Sequence, residues 1–145
     1  MADITLDWLN TLGGWCGAMQ LRFTSASGDE VRCEFEVADQ HLQPFGLVHG
    51  GVMSGVIETV TSIGATIHVR PLGQEAVGLE NSTSFIRAVR RGTMRAVARP
   101  ISRGRTNQLW EAWVHDDRDR IVSQGRVRLQ NVSADHERAN QPPPE

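Results

Sequence analysis

A chain of 145 residues, 39% hydrophobic and 22% charged, is one ordinary globular domain, long enough for a real core and too short for two. A net charge of −2 argues against a general nucleic-acid binder, and two cysteines, Cys16 and Cys33, are too few for a disulfide framework or a zinc site. No apolar run approaches the ~20 residues of a membrane helix, and MADITLDWLN lacks the pattern of a secretory signal, so no membrane and a reduced, cytoplasmic setting are expected.

In chain order, residues 3–12 (DITLDWLNTL) predict a short amphipathic helix begun at Asp3 and stopped by Gly13 and Gly14. Strands follow at 19–25 and 30–38, joined by the turn residues SASGD. In EVRCEFEV, Val31, Cys33, Phe35 and Val37 alternate with charges, which predicts a strand with one buried face. After a long central helix come four strands near 75–86, 93–101, 107–115 and 120–131, joined by RRG, SRGR and DDRDR. The pattern predicts an α+β domain over 1–132, a mainly antiparallel sheet of about six strands with one helix on one face. The polar, proline-rich end, 133–145, is expected to be a disordered tail. A sheet of this size keeps edges, and a homo-oligomer that extends it would cover one.

The central helix raises the functional question. At 100° per residue, Val52, Val56, Val60, Ile63 and Ile67 gather in one stripe, the expected sheet-facing side. Around Glu58 on the other side sit only small residues: Gly51, Ser54, Gly55, Ser62 and Ala65. A solvated helix face usually carries lysine, arginine and glutamate instead. Small neighbours let another backbone or a ligand approach the carboxylate; the plainer alternative is a surface glutamate beside a tight helix contact.

Ahead of the helix stands QPFGLVHGG. A first helical turn has unpaired N–H groups and partial positive charge, and Gly50 and Gly51 would leave it open to a carbonyl oxygen. His49 and Gln43 could donate to the same oxygen, which is the composition of an oxyanion hole. Gly50 and Glu58 are eight positions apart, about 12 Å along a helix axis, whereas a base or nucleophile must lie within about 3 Å of the atom it acts on. Two antiparallel helices from two chains could bring both groups to one carbonyl, so composite sites at a dimer interface are expected.

Every basic residue is an arginine, and between Asn81 and Trp110 there are seven arginines (87, 90, 91, 95, 99, 103 and 105) and no acid. They either point to solvent and pair with distant acids such as Asp117 and Asp119, or form a surface for a multiply charged anion such as phosphate. His41, His49, His68, His115 and His136 show no metal-ligand spacing, so no metal is expected.

QPFGLVHGG followed by ETVTS, then VGLENSTSF and ISRGRTNQLWE, resembles the hotdog-fold acyl-CoA thioesterases. The likeness covers roughly residues 15–131 and is greatest to the branch holding glutamate-type 4-hydroxybenzoyl-CoA thioesterase and 1,4-dihydroxy-2-naphthoyl-CoA thioesterase. The resemblance implies a long helix wrapped by a curved sheet, homodimers joined edge to edge, and homotetramers. It implies a catalytic carboxylate at Glu58, a polarising amide at Gly50, orienting roles for Gln43 and His49, and a hydroxyl at Ser62 near the attacking water. It also implies acyl-CoA contacts at Phe85 and Arg87, and coenzyme A phosphates at Arg103, Gly104, Arg105 and Thr106. Phe85 and Ile86 stand where the naphthoyl branch is expected to carry histidines, which predicts a more apolar acyl pocket.

The reaction expected is hydrolysis of an aryl- or hydrophobic acyl-CoA, without a cofactor, with Glu58 as nucleophile or general base. Two other classes compete. A hotdog enoyl-CoA hydratase would pair an Asp with a His about five residues on, where this chain has Ile63. A non-catalytic acyl-CoA sensor would have no use for a carboxylate beside the thioester.

Overall fold

The alternation in EVRCEFEV becomes strand β2 (Val31–Glu36), with Val31, Cys33 and Phe35 buried and Arg32 and Glu36 exposed. The computed structural model describes residues 4–134. The other strands are β1 (Arg22–Ala26), β3 (Gln74–Phe85), β4 (Thr93–Arg103), β5 (Asn107–His115) and β6 (Ile121–Ser133). They form one six-stranded sheet in the order β1-β2-β4-β5-β6-β3, with every pairing antiparallel. The strands lie close to the predicted places. The last one runs to Ser133, and Ala134 N–H donates to Gly73 O at 3.1 Å. The rest of the expected tail lies outside the described residues.

The N-terminal expectation needs correction. Instead of one helix over 3–12 there are two short ones, α1 (Leu6–Leu9) and α2 (Gly14–Ala18). Asp3 lies outside the described residues, and α1 is capped by Thr5, whose hydroxyl accepts from Trp8 N–H at 3.2 Å. Gly13 and Gly14 do not simply stop a helix: Gly13 is the N-cap of α2, and Gly14 begins it with φ +57. The first strand begins at Arg22 rather than 19, because Met19 still caps α2 and Gln20 turns the chain at φ 53.

Helix α3 (Gly50–Val69) packs on one face of the sheet, with Gly50 against Phe85 of β3, Gly64 against Trp110 of β5 and Val31 of β2, and His68 against Gly28 in the β1–β2 turn; β3 is an edge paired only with β6. It ends where Arg70–Leu72 forms a 3-10 turn around Pro71 and Gly73 takes the left-handed conformation (φ 69). With that turn, Gly50–Leu72 is 23 residues and contains an 18-residue stretch of mean hydropathy 1.3, long and apolar enough by composition to cross a membrane. A reading by unbroken apolar runs passes over it, because Gly, Ser, Thr and Glu58 interrupt the runs. Half of that stretch is buried within the protein.

The buried face of α3 is turned relative to the expected stripe. Val52, Val56 and Val60 are buried, but so are Met53, Ile57, Thr61, Gly64 and Ala65, while Ile63 and Ile67 are only half-buried. The reason is Trp110 on β5, fully buried, whose ring would come within 2.6 Å of any Cβ at Gly64. Its Nε1–H donates to Gln108 Oε1 at 2.9 Å, and Gln108 Nε2 donates to Ala65 O at 3.1 Å and Asn131 Oδ1 at 2.8 Å. A ring this large, with its one polar atom satisfied, decides which side of the helix faces the sheet. Ala65 therefore belongs to the core and not to the face around Glu58. Trp113, three residues on, is only half-buried.

Candidate active site

Three local structures bring the site together. The first is the turn ahead of α3. His41 is fully buried, with Nδ1 accepting from Ala38 N–H at 2.8 Å and Nε2 donating to Met19 O at 2.9 Å. Its carbonyl accepts from His49 N–H at 2.8 Å, and Val48 N–H reaches Val89 O at 2.8 Å. Between these anchors Gln43 Oε1 accepts from Phe45 N–H, which leaves its amide N–H groups to point elsewhere. Arg90 Nη1 donates to Phe45 O at 2.9 Å from the opposite side. The loop that presents Gly50 is thus held from both ends.

The second is the N-terminus of α3 itself. His49 is the N-cap, and its Nδ1 accepts from Gly51 N–H at 2.8 Å. An acceptor Nδ1 puts the proton of a neutral ring on Nε2, as a donor facing outward. Val52 and Met53 N–H both turn to His49 O, at 2.9 and 3.4 Å. That leaves Gly50 N–H as the helix-end donor without an acceptor among the described residues. A Cβ on Gly50 would meet the Phe85 ring at 2.9 Å, so glycine here gives the ring its seat.

The third is a bulge in β3. The register slips between Gly78 and Glu80, so Gly78 and Asn81, not Gly78 and Glu80, both face α3. Asn81 Nδ2 donates to Glu58 Oε2 at 2.9 Å and to Ser54 O at 3.0 Å. Its Oδ1 accepts from Thr83 Oγ1 at 2.6 Å, which fixes the amide's orientation. On the other oxygen, Ser62 Oγ stands 3.4 Å from Glu58 Oε1. A Cβ at Gly78 would sit 2.2 Å from that same oxygen. Glu58 is half-buried, with each oxygen assigned a direction.

Of the residues picked from sequence, Glu58 and Ser62 meet directly, while Gln43, His49, Gly50 and Phe85 gather at the other end of the same helix. Gly78, Asn81 and Thr83 join the site without a place among the residues expected from sequence. A lone glycine inside a strand pattern is the signal that pointed to them, since it often marks a bulge or a close approach.

The arginine segment divides. Arg99 pairs with Glu30 at 2.8 Å, Arg95 with Asp119 at 3.5 Å, and Arg103 with Asp29 at 2.7 Å and Gly28 O at 2.7 Å. Arg87, Arg91 and Arg105 make no ion pair among the described residues. The turn at Gly104 is tight: its N–H donates to Asn107 O at 2.8 Å, and a Cβ would lie 2.9 Å from that oxygen. Asn131 Nδ2 holds the carbonyls of Gly104 and Arg105 at 3.0 and 3.1 Å, and Asn131 N–H donates to Thr106 O. Burial pushes the Cys33 thiol up to about 12 and raises that of Cys16, so both are poor nucleophiles. No cluster of three His, Cys, Asp or Glu that could hold a metal exists among the described residues.

Known proteins agree with this architecture. The family model of the thioesterase superfamily matches residues 45–123. A Mycobacterium tuberculosis protein provisionally named an esterase is 38% identical over 128 residues, covering 87% of this chain and 91% of the relative. Its structure superposes with a TM-score of 0.81 over 83% of this chain and 97% of that one. The 1,4-dihydroxy-2-naphthoyl-CoA hydrolase of Escherichia coli is 30% identical over 126 residues, 86% of this chain and 92% of the relative. A thioesterase structure from Haemophilus influenzae reaches a TM-score of 0.85 at 27% identity, over 92% of this chain and 94% of that one. The chain belongs to the thioesterase superfamily and is a thioester hydrolase on the hotdog fold, its single long helix laid across a six-stranded antiparallel sheet.

Proposed function

We propose that the protein hydrolyses an aryl- or other hydrophobic acyl-CoA thioester to the free acid and coenzyme A, at two composite sites in a homodimer. The observation that carries this is the half-buried Glu58 carboxylate, held by Asn81 and flanked by Ser62, on a helix whose first N–H, at Gly50, is open.

The thioester oxygen accepts from Gly50 N–H of one protomer, with Gln43 and His49 as further donors. Negative charge that develops on that oxygen then meets fixed dipoles at the helix N-terminus. Glu58 of the other protomer takes a proton from a water held with Ser62 as the water oxygen bonds to the carbonyl carbon. The tetrahedral adduct collapses, the C–S bond breaks, and the thiolate leaves and is protonated. In the alternative route Glu58 itself attacks, the thiolate leaves, and water then cleaves the anhydride. The Ser62 hydroxyl beside Oε1 favours the water route.

Two features support a shared site. Gly50 and Glu58 are separated by about 12 Å of helix. Strand β3 is a 12-residue edge paired on one side only, with exposed Leu79 at its middle. Such an edge is a template for a second strand. Arg87 and Arg105, without acidic partners among the described residues, suit the phosphates of coenzyme A. Arg103, paired with Asp29 and the Gly28 carbonyl, stands beside the Gly104–Thr106 turn as a third candidate for those phosphates.

The test is thiol release from a panel of aryl- and alkyl-CoA thioesters. Wild type should turn over, and Glu58→Gln should reduce kcat at least ~10³-fold while the oligomer persists. Full activity in Glu58→Gln would overturn the mechanism.

A further inference from the structure

On the flank of α3 opposite β3, an aromatic side chain occupies the place of a missing one. A Cβ at Gly55 would stand 2.5 Å from Trp15 Cζ2 and 2.7 Å from Cη2, so the helix carries glycine there because the indole lies against its backbone. Gly55 is one turn before Glu58 and about 60° from it around the axis. Across from it, Gly78 and Asn81 of β3 close on the Glu58 carboxylate. The helix face that carries Glu58 therefore lies between an indole on one flank and the β3 edge on the other.

The indole flank is rigid. Cys16, the next residue, packs half-buried against the core, and its carbonyl accepts from Leu21 N–H at 3.0 Å. Buried His41 holds Met19 O at 2.9 Å and, through its own carbonyl, ties α2 to the loop that presents His49 and Gly50. Yet Trp15 remains 41% exposed, unlike Trp110 at 0%. An indole fixed by its surroundings and still open to solvent one helical turn from a carboxylate is available to a ligand.

We infer that Trp15 is the specificity wall of the acyl pocket and selects flat aromatic acyl groups over short linear ones. This rests on the thioesterase reading of the same site. An aryl ring gains offset or edge-to-face contact with the indole, which a short alkyl chain cannot match. The rigidity of α2 adds to the gain, because little freedom is lost on binding.

The experiment uses the full chain and two readouts. Dissociation constants are measured by calorimetry for the non-hydrolysable thioethers phenacyl-CoA and butyl-CoA, and kcat/KM for benzoyl-CoA and butyryl-CoA. Wild type, Trp15→Ala, Trp15→Phe and Gly55→Ala are compared, with melting temperatures as the check on folding. Trp15→Ala should weaken phenacyl-CoA binding by about tenfold relative to butyl-CoA, with a parallel loss in the benzoyl:butyryl ratio of kcat/KM. Trp15→Phe should recover most of it, and Gly55→Ala, whose methyl evicts the indole, should behave like Trp15→Ala. An unchanged phenacyl:butyl ratio in Trp15→Ala or Gly55→Ala overturns the inference, as does equal weakening of both thioethers. Wild type that binds the thioethers with the predicted preference but hydrolyses neither thioester overturns the hydrolase reading and leaves the wall standing. Wild type that binds neither thioether overturns both.

Discussion

Asn81 Nδ2 lies 2.9 Å from Glu58 Oε2, and Thr83 Oγ1, 2.6 Å from Asn81 Oδ1, keeps the amide facing that way. A carboxylate that receives a fixed hydrogen bond on one oxygen offers its other oxygen in a defined direction, here toward Ser62. A hydrogen bond to a charged group contributes roughly 1.5–3 kcal/mol. Asn81→Ala should therefore lower kcat about 10–100-fold with a smaller change in KM, read by thiol release. Asn81→Asp should be worse, since it sets a second negative charge against Glu58. Equal kcat in wild type and both variants would remove Asn81 from the site.

Gly78→Ala probes the same carboxylate from the other side. The new methyl would coincide with Glu58 Oε1, only 2.2 Å away, and the carboxylate must swing aside. Gly78 is an exposed strand residue, so the melting temperature should fall little. A displacement of about 1 Å at a reacting group can lower the rate ~10²-fold, which sets the expected loss in kcat. A variant as active as wild type would mean that Oε1 is not where the chemistry happens.

Much of this was legible in the sequence, and the parts that were not share a cause. The period-2 alternation of Val31, Cys33 and Phe35 and the turn residues gave the strands, because those are local signals. The spacing from Gln43 through Gly50 to Glu58 and Ser62 sits on one loop and one helix, so it survives reading along the chain. The rotation of α3 is not legible along the helix, because Trp110, 46 residues after Gly64, decides it. Asn81 is hidden for the same reason: only a bulge in β3 turns it toward a carboxylate 23 residues earlier. Arginine composition could not say which guanidinium groups pair with Asp29 and Glu30 across the sheet and which stay open.

Removing one backbone N–H tests the oxyanion role of Gly50 directly. Gly50 is the first residue of α3, where proline is compatible with the helix, and His49 at ψ 135 already has the extended backbone proline demands of its predecessor. Gly50→Pro deletes the N–H; Gly50→Ala keeps it and adds a similar Cβ, which Phe85, 61% exposed, can move to admit. The ratio of the two activities isolates the amide. Loss of one oxyanion donor should make the proline variant about 10²–10³-fold slower than the alanine variant in kcat. Equal rates would place the carbonyl oxygen elsewhere.

Stability toward acid should follow the β5–β6 turn. Asp116 is buried, with Oδ2 receiving Arg120 Nε at 2.8 Å and Oδ1 receiving the N–H groups of Arg120 at 2.9 Å and Arg118 at 3.0 Å. The Arg120 guanidinium, then the backbone donors, hold its carboxyl at about 2, below the ordinary 3.8, against the opposing effect of burial. A carboxylate with a lowered folded value contributes stability that is complete above about pH 4 and disappears as pH falls toward about 2. Urea midpoints should drop across that window, and Asp116→Asn should flatten part of the drop. Glu30, lowered by Arg32 and Arg99, accounts for another part. A variant with the wild-type acid slope would exclude Asp116 as a source.

The decisive prediction concerns which chain supplies which group. Each composite site takes Glu58 from one protomer and Gly50 from the other, so two inactive chains can complement each other. In a dimer of a Glu58→Gln chain with a Gly50→Pro chain, one site has lost both groups and the other retains both. Random assembly of equal amounts should therefore restore about a quarter of wild-type activity, as two-fold symmetry requires. Co-refolding the two purified variants and assaying thiol release measures it. If each chain used its own Glu58 and its own Gly50, every site in the mixture would lack one group and no activity would return. A partner test acts on the edge itself: Leu79, 50% exposed in the middle of β3, changed to Arg should shift the protein toward monomer and lose activity in proportion. A fully active monomer of that variant would break the argument that 12 Å of helix forces the two groups to meet across a subunit boundary.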